Sequence, residues 1–353
     1  MIPNSIDKER TMKIGVFGAG SWGVALSMVL CDKGHDICVW SNDQEEVDKI
    51  LKSRRLVHKL PEIRIPDKIG FTTDTQQFME ESQILLIAIP SKFMRSFAVT
   101  ILPKLTGKPK LVVCATKGLE SDTLKTMSEI LEDHWLVPTS PIYAIAALSG
   151  PSHAEEVARF LPTAIVAAHA DMDIALEVQE NFQAPLFRVY SNTDRKGVEV
   201  GAALKNVIAI AVGISDGLGF GDNARAALIA RGLFELSIAG RAMEARPETF
   251  SGLSGLGDLV VTCTSRHSRN RKFGELLAKG YHPDEAEEEI GMVVEGRTAV
   301  LAIPDLRKKM KRDLPISEEV YSIVWENADP KEAVERLMLR ELKPEGLLGE
   351  VSL

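Results

Sequence analysis

The sequence predicts an α/β domain built on a mostly parallel sheet, followed by a domain made only of helices. Three observations support this division. Short apolar runs, which are typical of buried parallel strands, alternate with helical patterns in the amino-terminal part of the chain. After about residue 191 the strand patterns stop and helical patterns continue alone. The chain has 353 residues, which is enough for two domains of ordinary size.

We therefore predict a first domain over residues 12–191, a second over residues 192–345, and loose tails at 1–11 and 346–353. The net charge of −8 and the pI near 5.5 argue against a nucleic-acid or membrane-surface partner. No uninterrupted apolar run reaches the about 18 residues of a spanning helix, and the N-terminus lacks a signal-peptide core, so a cytoplasmic location is the default expectation.

The four cysteines are scattered, without CxxC spacing or paired histidines nearby, and this argues against a zinc site or a disulfide framework. We interpret them as reduced, mostly buried thiols and expect no metal. They are Cys31, Cys38, Cys114 and Cys263.

The first elements are a strand, a glycine turn, a helix and a second strand, in the stretch MKIGVFGAGSWGVALSMVLCDKGHDICVW. In the turn GAGSWG, Gly18 allows a tight bend, Gly20 allows the backbone to approach a pyrophosphate, and Gly23 allows the helix to pack on the strand. The helix N-terminus then offers unpaired N–H groups to the phosphates. Together these features predict a Rossmann-like dinucleotide site.

The residue after the second strand normally distinguishes NAD from NADP, because a carboxylate there binds the ribose 2′-OH and repels a 2′-phosphate. Here VWSND places Ser41 and Asn42 at that point, with Asp43 adjacent. Arg54 and Arg55 follow a little further along. We therefore expect NADPH to be at least tolerated, and the cofactor to be NAD(H) or NADP(H).

Further strands are predicted at SQILLIAIPS, KLVVCATKGL, YAIAALSGP, TAIVAAH and FRVYSN. Ligands of such sheets bind at the carboxyl ends of the strands, and Lys117, Gly150, Ser152 and the backbone of Ala154 follow strand ends here. Lys117 could instead be an exposed loop lysine. His153 is expected to be a neutral histidine at the surface or behind the site.

The helical half begins with GAALKNVIAIAVGI, in which Lys205 is the one charged residue. Fully burying an ammonium lowers its pKa by about 3 to 5 units, or roughly 4 to 7 kcal/mol. That is large against the about 5 to 15 kcal/mol that stabilise a domain, so a buried Lys205 implies a function. The alternative is that it lies near a helix end and reaches water.

Two later segments add charged candidates. Asp258, in GLSGLGDLVVT, could cap a helix or accept a hydrogen bond from the Lys205 ammonium. The run LVVTCTSRHSRNRKFG contains four arginines and lysines and no acidic residue. It could be a solvated basic face, or Arg269 with Asn270 could bind a phosphate.

The sequence resembles bacterial NAD(P)-dependent sn-glycerol-3-phosphate dehydrogenases from about Met12 to about Leu339. The motifs that carry the resemblance are GAGSWG, ATKGLE, SGPSHA, ALKNVIAIA, GLGDLVVTCTS, SRNRKFG and VVEG. The family usually has phenylalanine or tyrosine where this chain has His153. The resemblance implies reversible reduction of dihydroxyacetone phosphate to sn-glycerol 3-phosphate, which supplies glycerophospholipid synthesis. We also expect a homodimer, because the helical domain is apolar.

By resemblance, Lys205 matches the catalytic lysine, the proton acceptor in the oxidation direction. Lys117 would be a second cation, and Asp258 would orient Lys205. The substrate-contacting positions would be Lys117, Gly150, Ser152, Lys205, Asp258, Ser268, Arg269 and Asn270. The cofactor-contacting positions, besides the glycines of the turn, would be Ser21, Trp22, Asn42, Lys117, Ala154, Arg269, Val293 and Glu295.

Two other functions remain open on the residues alone. A 3-hydroxyacid or 6-phosphogluconate type dehydrogenase also places a catalytic lysine at the start of a helical domain, but this chain has Lys205 and Asn206 adjacent and carries SRNRKFG. A dinucleotide-binding regulatory protein without turnover would be expected to have lost Lys117, Lys205 or Asp258.

Overall fold

The structure is a computed structural model that describes residues 11–108 and 110–341. The predicted tail at 346–353 and the predicted end of the second domain at residue 345 lie outside the described residues. The predicted tail at 1–11 lies outside them as well, except for Thr11.

Within the described residues, eight strands form one sheet in the order β3-β2-β1-β4-β5-β6-β7-β8. Neighbouring strands are parallel except β6 and β7, which are antiparallel, so the predicted mostly parallel sheet is confirmed. The three-residue β3 is the strand that the sequence did not predict. The strands are β1 Lys13–Phe17, β2 Asp36–Trp40, β3 Gly70–Thr72, β4 Ile84–Ile87, β5 Lys110–Cys114, β6 Ile142–Ser149, β7 Thr163–Ala168 and β8 Phe187–Asn192.

Helices cover both faces of this sheet. Along β4, Ile84 and Leu86 contribute to one core and Leu85 and Ile87 to the other, because successive side chains of a strand point to opposite faces. Helices α1, α2, α6 and α7 contribute to the first core and α3, α4 and α5 to the second. The bounds are α1 Ser21–Asp32, α2 Gln44–Ser53, α3 Thr75–Glu81, α4 Met94–Ile101, α5 Met127–Trp135, α6 Ala154–Val157 and α7 Met172–Phe182.

The rest of the described chain is helical, as predicted, and is built around α8. Residues 197–215 of α8 are all buried, and α9, α10, α11, α13 and α15 pack against it. By length and composition α8 could cross a membrane, but its most apolar segment is entirely enclosed by this protein. The bounds are α8 Arg195–Gly217, α9 Asp222–Ala242, α10 Asp258–Thr264, α11 Arg269–Ala278, α12 Pro283–Ile290, α13 Glu295–Ala299, α14 Ile303–Met310, α15 Pro315–Trp325 and α16 Pro330–Met338.

Glycines let α8 and α11 approach until their backbones touch. A Cβ at Gly213 would overlap the carbonyl oxygen of Arg271, and a Cβ at Gly274 would overlap that of Ile210. Only residues without a side chain are compatible with this contact. The close packing brings the N-terminus of α11 beside the middle of α8, where Lys205 lies.

A buried carboxylate fixes α8 to the sheet domain. Glu199 accepts hydrogen bonds from the backbone N–H of Ser128 at 2.9 Å and from the Thr126 hydroxyl at 2.8 Å, both at the N-terminus of α5. Burial raises the pKa of Glu199 despite the nearby Arg195 guanidinium and these hydrogen bonds. The position of α8 relative to the sheet is thus set by hydrogen bonds as well as by apolar packing.

Candidate active site

A cavity of about 1220 Å³ lies at the carboxyl ends of the strands, between the sheet and the helical domain. The glycine turn and the end of β2 line one part of it, and Lys117, Lys205 and the start of α11 line another. Strands β1 and β4 are neighbours in the sheet although β2 and β3 intervene in sequence. The order reverses at this point, and ligands of open α/β sheets bind at such a reversal.

The glycine turn has the geometry that a dinucleotide requires. Gly18 has a φ of 116°, and a Cβ there would lie 2.5 Å from the carbonyl oxygen of Ala88. A Cβ on Gly20 would meet nothing within 4 Å, so the missing side chain leaves open space beside the backbone. Gly20 is also the N-cap of α1 and makes no side-chain cap, which leaves the first-turn N–H groups open to an anion.

The third glycine of the turn lies in close contact with the strand ends. A Cβ on Gly23 would overlap the carbonyl oxygen of Gly18, directly after β1, and would lie 3.5 Å from the Cβ of Ala88, directly after β4. The missing side chain thus allows the close packing of helix on strand that the sequence predicts. It also lets the first turn of α1 close over the preceding loop. Gly23 therefore supports the turn from behind and does not line the cavity.

The other predicted cofactor contacts lie around the same cavity. Ser21, Trp22, Asn42 and Ala154 line it. Trp22 is held by a 3.1 Å hydrogen bond from its Nε1 to the carbonyl oxygen of Ala115, just after β5.

Val293 and Glu295 belong to the helical side of the cavity. Arg269 donates to the carbonyl oxygen of Val293 at 2.9 Å. The carboxylate of Glu295 accepts hydrogen bonds from the backbone N–H of Ser91 at 3.2 Å and from the Ser91 hydroxyl, and burial raises its pKa. Ser91 follows β4, so this contact joins the two domains at the edge of the cavity.

Arg54 and Arg55 do not reach the cavity. Arg54 donates to the carbonyl oxygen of Ile69 at 2.9 Å, and Arg55 donates to that of Pro61 at 3.0 Å. The expectation that these arginines assist NADPH binding is wrong, because their guanidinium groups stabilise the loop after α2.

Lys205 and Lys117 share one buried carboxylate. The Lys205 Nζ lies 2.5 Å from Asp258 Oδ1, and the Lys117 Nζ lies 2.8 Å from Asp258 Oδ2. Lys205 also donates to the Thr262 hydroxyl at 2.7 Å, and Lys117 donates to the carbonyl oxygen of Gly150 at 3.0 Å. Lys205 is 5% exposed and lies mid-helix, so the alternative of a lysine that reaches water from a helix end is wrong.

The alternatives for Asp258 and Lys117 are resolved by the same contacts. Asp258 is the first residue of α10 and is 1% exposed, and the N-cap position belongs to Gly257. The Lys117 side chain is 17% exposed and is held at both acceptors, which excludes a free loop lysine. Asp258 therefore serves as the counter-ion of two lysines from different parts of the chain.

Burial and charge set the protonation of this cluster. Burial is the largest effect on Lys205, and with the repulsion from Lys117 it outweighs the attraction of Asp258 and lowers the pKa of Lys205 to about 8. For Asp258, burial opposes ionisation, but the two ammonium groups outweigh it and hold its pKa below the ordinary value. The cluster thus combines a stable carboxylate with a lysine that can exchange a proton near neutral pH.

His153 lines the cavity and is not a surface residue. Burial, with the cations Lys205 and Lys117, lowers its pKa to about 4. His153 is therefore uncharged at neutral pH, as predicted, beside the two lysines.

The basic run separates into groups with different tasks. Arg269 lines the cavity at the N-terminus of α11, whereas Arg271 forms an ion pair with Asp216 at 2.7 Å. Ser268 caps α11 by accepting a hydrogen bond from the Arg271 backbone N–H at 3.2 Å. The basic run at residues 259–274 is therefore neither entirely a solvated face nor entirely an anion-binding site. Only its part around the first turn of α11 faces the cavity.

The Asn270 side chain is already engaged at both of its ends. Its Oδ1 accepts from the backbone N–H of Gly296 at 2.8 Å, and its Nδ2 donates to Asn206 Oδ1 at 2.9 Å. Its backbone N–H belongs to the first turn of α11, where such groups have no partner within the helix. Asn270 can therefore offer an anion its backbone, while its side chain holds α11 against α8.

Comparison with known proteins agrees with this geometry. Family models described as the N-terminus and the C-terminus of NAD-dependent glycerol-3-phosphate dehydrogenase match residues 13–175 and 194–335. The chain belongs to this family.

Individual members of the family are similar over nearly their whole length. A protein named glycerol-3-phosphate dehydrogenase (NAD(P)+) from Agathobacter rectalis is 46% identical, covering 94% of this chain and 97% of the relative. One of the same name from Enterococcus faecalis is 45% identical, with the same coverage of 94% and 97%. The crystal structure of glycerol-3-phosphate dehydrogenase from Coxiella burnetii has a TM-score of 0.87 at 36% identity, covering 94% of this chain and 99% of that one.

Most of the site residues that were predicted from the glycine turn and from the family resemblance line the cavity. Gly23, Gly150 and Asp258 lie behind its wall. Gly150 has a φ of 147°, and its carbonyl oxygen positions the Lys117 ammonium, so it supports a cavity residue.

Sequence reasoning gave no role in the site to Asn206, Thr262 and Ser91, which contact Asn270, Lys205 and Glu295. Thr262 lies four residues after Asp258 on α10, a spacing that puts both side chains on one face of a helix and could have identified it. Asn206 was noted only as the neighbour of Lys205. Ser91 has no comparable signal, because its partner Glu295 is 204 residues away.

Proposed function

We propose that this protein catalyses the reversible NAD(P)H-dependent reduction of dihydroxyacetone phosphate to sn-glycerol 3-phosphate, with Lys205 as the proton donor. Membership of the glycerol-3-phosphate dehydrogenase family supports the reaction. The observation that carries the catalytic assignment is the Lys205–Asp258–Lys117 cluster, which lies on the same cavity as the dinucleotide turn.

A bound nicotinamide would supply hydride to the ketone carbon. As negative charge develops on the ketone oxygen, the Lys205 ammonium stabilises it and donates a proton from Nζ. Lys117 adds a second positive charge, and the cluster of two lysines and one aspartate keeps a net charge of about +1 for an incoming oxyanion. Asp258 orients Lys205 and keeps its pKa from falling further.

The substrate phosphate would bind at the start of α11. Arg269 offers a guanidinium there, and the backbone N–H groups of Arg269 and Asn270, which begin α11, lie at the same part of the cavity. Phosphate binding at this point holds the ketone in place, so that binding energy from a non-reacting group assists the chemical step.

Other predictions from the sequence stand as proposals. We propose that the predicted residues that line the cavity contact the cofactor and the substrate, and that Gly23, Gly150 and Asp258 support them from behind. We also propose a division into domains near residue 191, where β8 gives way to α8. A homodimer, a cytoplasmic location and a role in supplying glycerophospholipid synthesis also remain predictions.

The reaction is tested by following loss of reduced-nicotinamide absorbance when the purified protein meets dihydroxyacetone phosphate. NADH and NADPH are assayed in parallel, and dihydroxyacetone serves as the control without phosphate. We expect rapid oxidation that requires the phosphate. Oxidation only with 3-oxoacid substrates would favour the hydroxyacid dehydrogenase alternative, and bound cofactor with no turnover would favour a regulatory protein.

The pKa of Lys205 predicts how the rate depends on pH. Reduction requires the ammonium form, so its kcat/KM should fall as pH rises through about 8. Oxidation of sn-glycerol 3-phosphate requires the neutral amine and should accelerate over the same range. The substrate phosphate titrates at about pH 6, well below this window. Profiles that are flat around pH 8 in both directions would show that Lys205 does not carry the proton.

A further inference from the structure

A charged pair lies at the end of the cavity formed by the glycine turn and the end of β2. The Lys59 Nζ is 2.7 Å from Glu46 Oε1, and the Ser41 hydroxyl donates to Glu46 Oε2 at 2.9 Å. Both Glu46 and Lys59 line the cavity, and their side chains remain 26% and 36% exposed. A ligand in the cavity can therefore reach both charges.

The position of this pair matters because the chain has no acid directly after β2. Ser41 occupies that point, and its hydroxyl is bonded to an acid from the first turn of α2, namely Glu46. Lys59 reaches the same place from the loop after α2, where its carbonyl oxygen accepts a hydrogen bond from Ser21 in the first turn of α1 at 3.4 Å. A carboxylate and an ammonium thus stand side by side where a Rossmann-like site meets the adenosine ribose.

The two charges act in opposite directions on the two cofactors. A carboxylate accepts hydrogen bonds from the ribose hydroxyls of NADH and repels the 2′-phosphate of NADPH, which carries about two negative charges. An ammonium attracts that phosphate. Because each charge neutralises the other in the pair, neither cofactor is strongly excluded.

We propose that Glu46 and Lys59 together set how the enzyme divides its use between NADH and NADPH, with Glu46 acting against the 2′-phosphate and Lys59 in its favour. This inference rests on the proposed function and deepens it, since it names the residues that discriminate between two cofactors of the same reaction. Asn42 lines the cavity beside them but carries no charge with which to discriminate.

The test compares kcat/KM for NADPH with kcat/KM for NADH in Glu46→Gln and Lys59→Met. Glutamine keeps the shape and one acceptor oxygen but removes the negative charge, so the NADPH-to-NADH ratio should rise by about tenfold, which corresponds to roughly 1.4 kcal/mol. Lys59→Met removes the cation and leaves Glu46 uncompensated, so the ratio should fall by about as much. Partial exposure of both side chains limits the effect to this size.

The matched controls are Glu45→Gln and Lys49→Met. These residues form a 3.3 Å ion pair on the same helix, but their side chains are 84% and 77% exposed and do not line the cavity. Both controls should leave the ratio unchanged. A ratio that stays constant in Glu46→Gln and Lys59→Met, or that moves in the same direction in both, would overturn the proposal.

A failure of the proposed function is distinguishable from a failure of this inference. If the wild-type protein oxidised neither cofactor with dihydroxyacetone phosphate, the proposed reaction would be rejected. The role of Glu46 and Lys59 would then be tested by equilibrium binding of NADH and NADPH to the same four variants. A thermal melt of each variant separates loss of folding from loss of selectivity. Unchanged relative affinities in folded variants would then reject the role of the pair.

Discussion

Replacing Lys205 with methionine is expected to lower turnover of dihydroxyacetone phosphate by at least about 100-fold while leaving the affinity for NADH nearly unchanged. Methionine is similar in length to lysine and suits a helix that is buried on all sides, but it cannot donate a proton. Asp258 would keep Lys117 as its partner at 2.8 Å, so the carboxylate would not be left without a counter-ion. The measurement is kcat under saturating substrate, together with a fluorescence titration of NADH.

The control for this variant is Lys272→Met, which removes a half-exposed lysine of α11 that pairs with Glu275 outside the cavity. It should retain wild-type turnover. If Lys205→Met also turned over normally, Lys205 could not be the proton donor, and Lys117 would be the next candidate because it shares the same carboxylate.

Replacing Asp258 with asparagine is expected to damage both stability and catalysis. Removing one member of a buried charge cluster typically costs roughly 3 to 5 kcal/mol of unfolding free energy, because the remaining charges lose their compensation. The attraction that raises the pKa of Lys205 would disappear while burial and Lys117 would continue to lower it. The pKa of Lys205 would then fall further, less of its ammonium form would be present at pH 7, and we expect reduction to slow by about 100-fold.

These effects can be separated by urea denaturation and by the pH dependence of the residual activity, which should recover at lower pH, where Lys205 is protonated again. The matched control is Asp222→Asn, since Asp222 is also the first residue of a helix, α9, but its side chain is 92% exposed. The control should change stability by no more than about 0.5 kcal/mol. If Asp258→Asn were as stable as the wild type, burial of the two lysines would not require compensation by this carboxylate.

Much of the fold was predictable because its signals are local. Strands such as Ile84–Ile87 are continuous apolar runs, and residues 201–214 of α8 are apolar on all sides apart from Lys205 and Asn206, so neither segment could be placed at a surface. The three-residue β3, Gly70–Thr72, was missed because so short a segment has no periodicity and is specified by its pairing with β2. The reversed direction of β7 relative to β6 likewise depends on which strands pair.

The site was predictable where a residue type is unusual for its position in the sequence. A lysine in an apolar helix and glycines in a turn are anomalies that a function explains, and Lys205 and Gly18 were found in this way. The prediction that Arg54 and Arg55 assist NADPH binding failed because a sequence shows which charged residues are present but not where their side chains point. Glu46 and Lys59 are ordinary surface residue types, 13 positions apart, and only folding reveals that they meet over a cavity.

The shared carboxylate of Asp258 also decides how this enzyme can be divided. Lys117 follows β5 of the sheet, whereas Lys205 and Asp258 belong to α8 and α10. A fragment that held only the helical domain would keep the proton donor Lys205 but would lack the glycine turn. A fragment that held only the sheet domain would keep the glycine turn but would lack Lys205. If the gene were split, or if halves were exchanged between relatives, activity would therefore be preserved only where the two domains re-form their interface. That interface must bring Lys117 back into contact with Asp258.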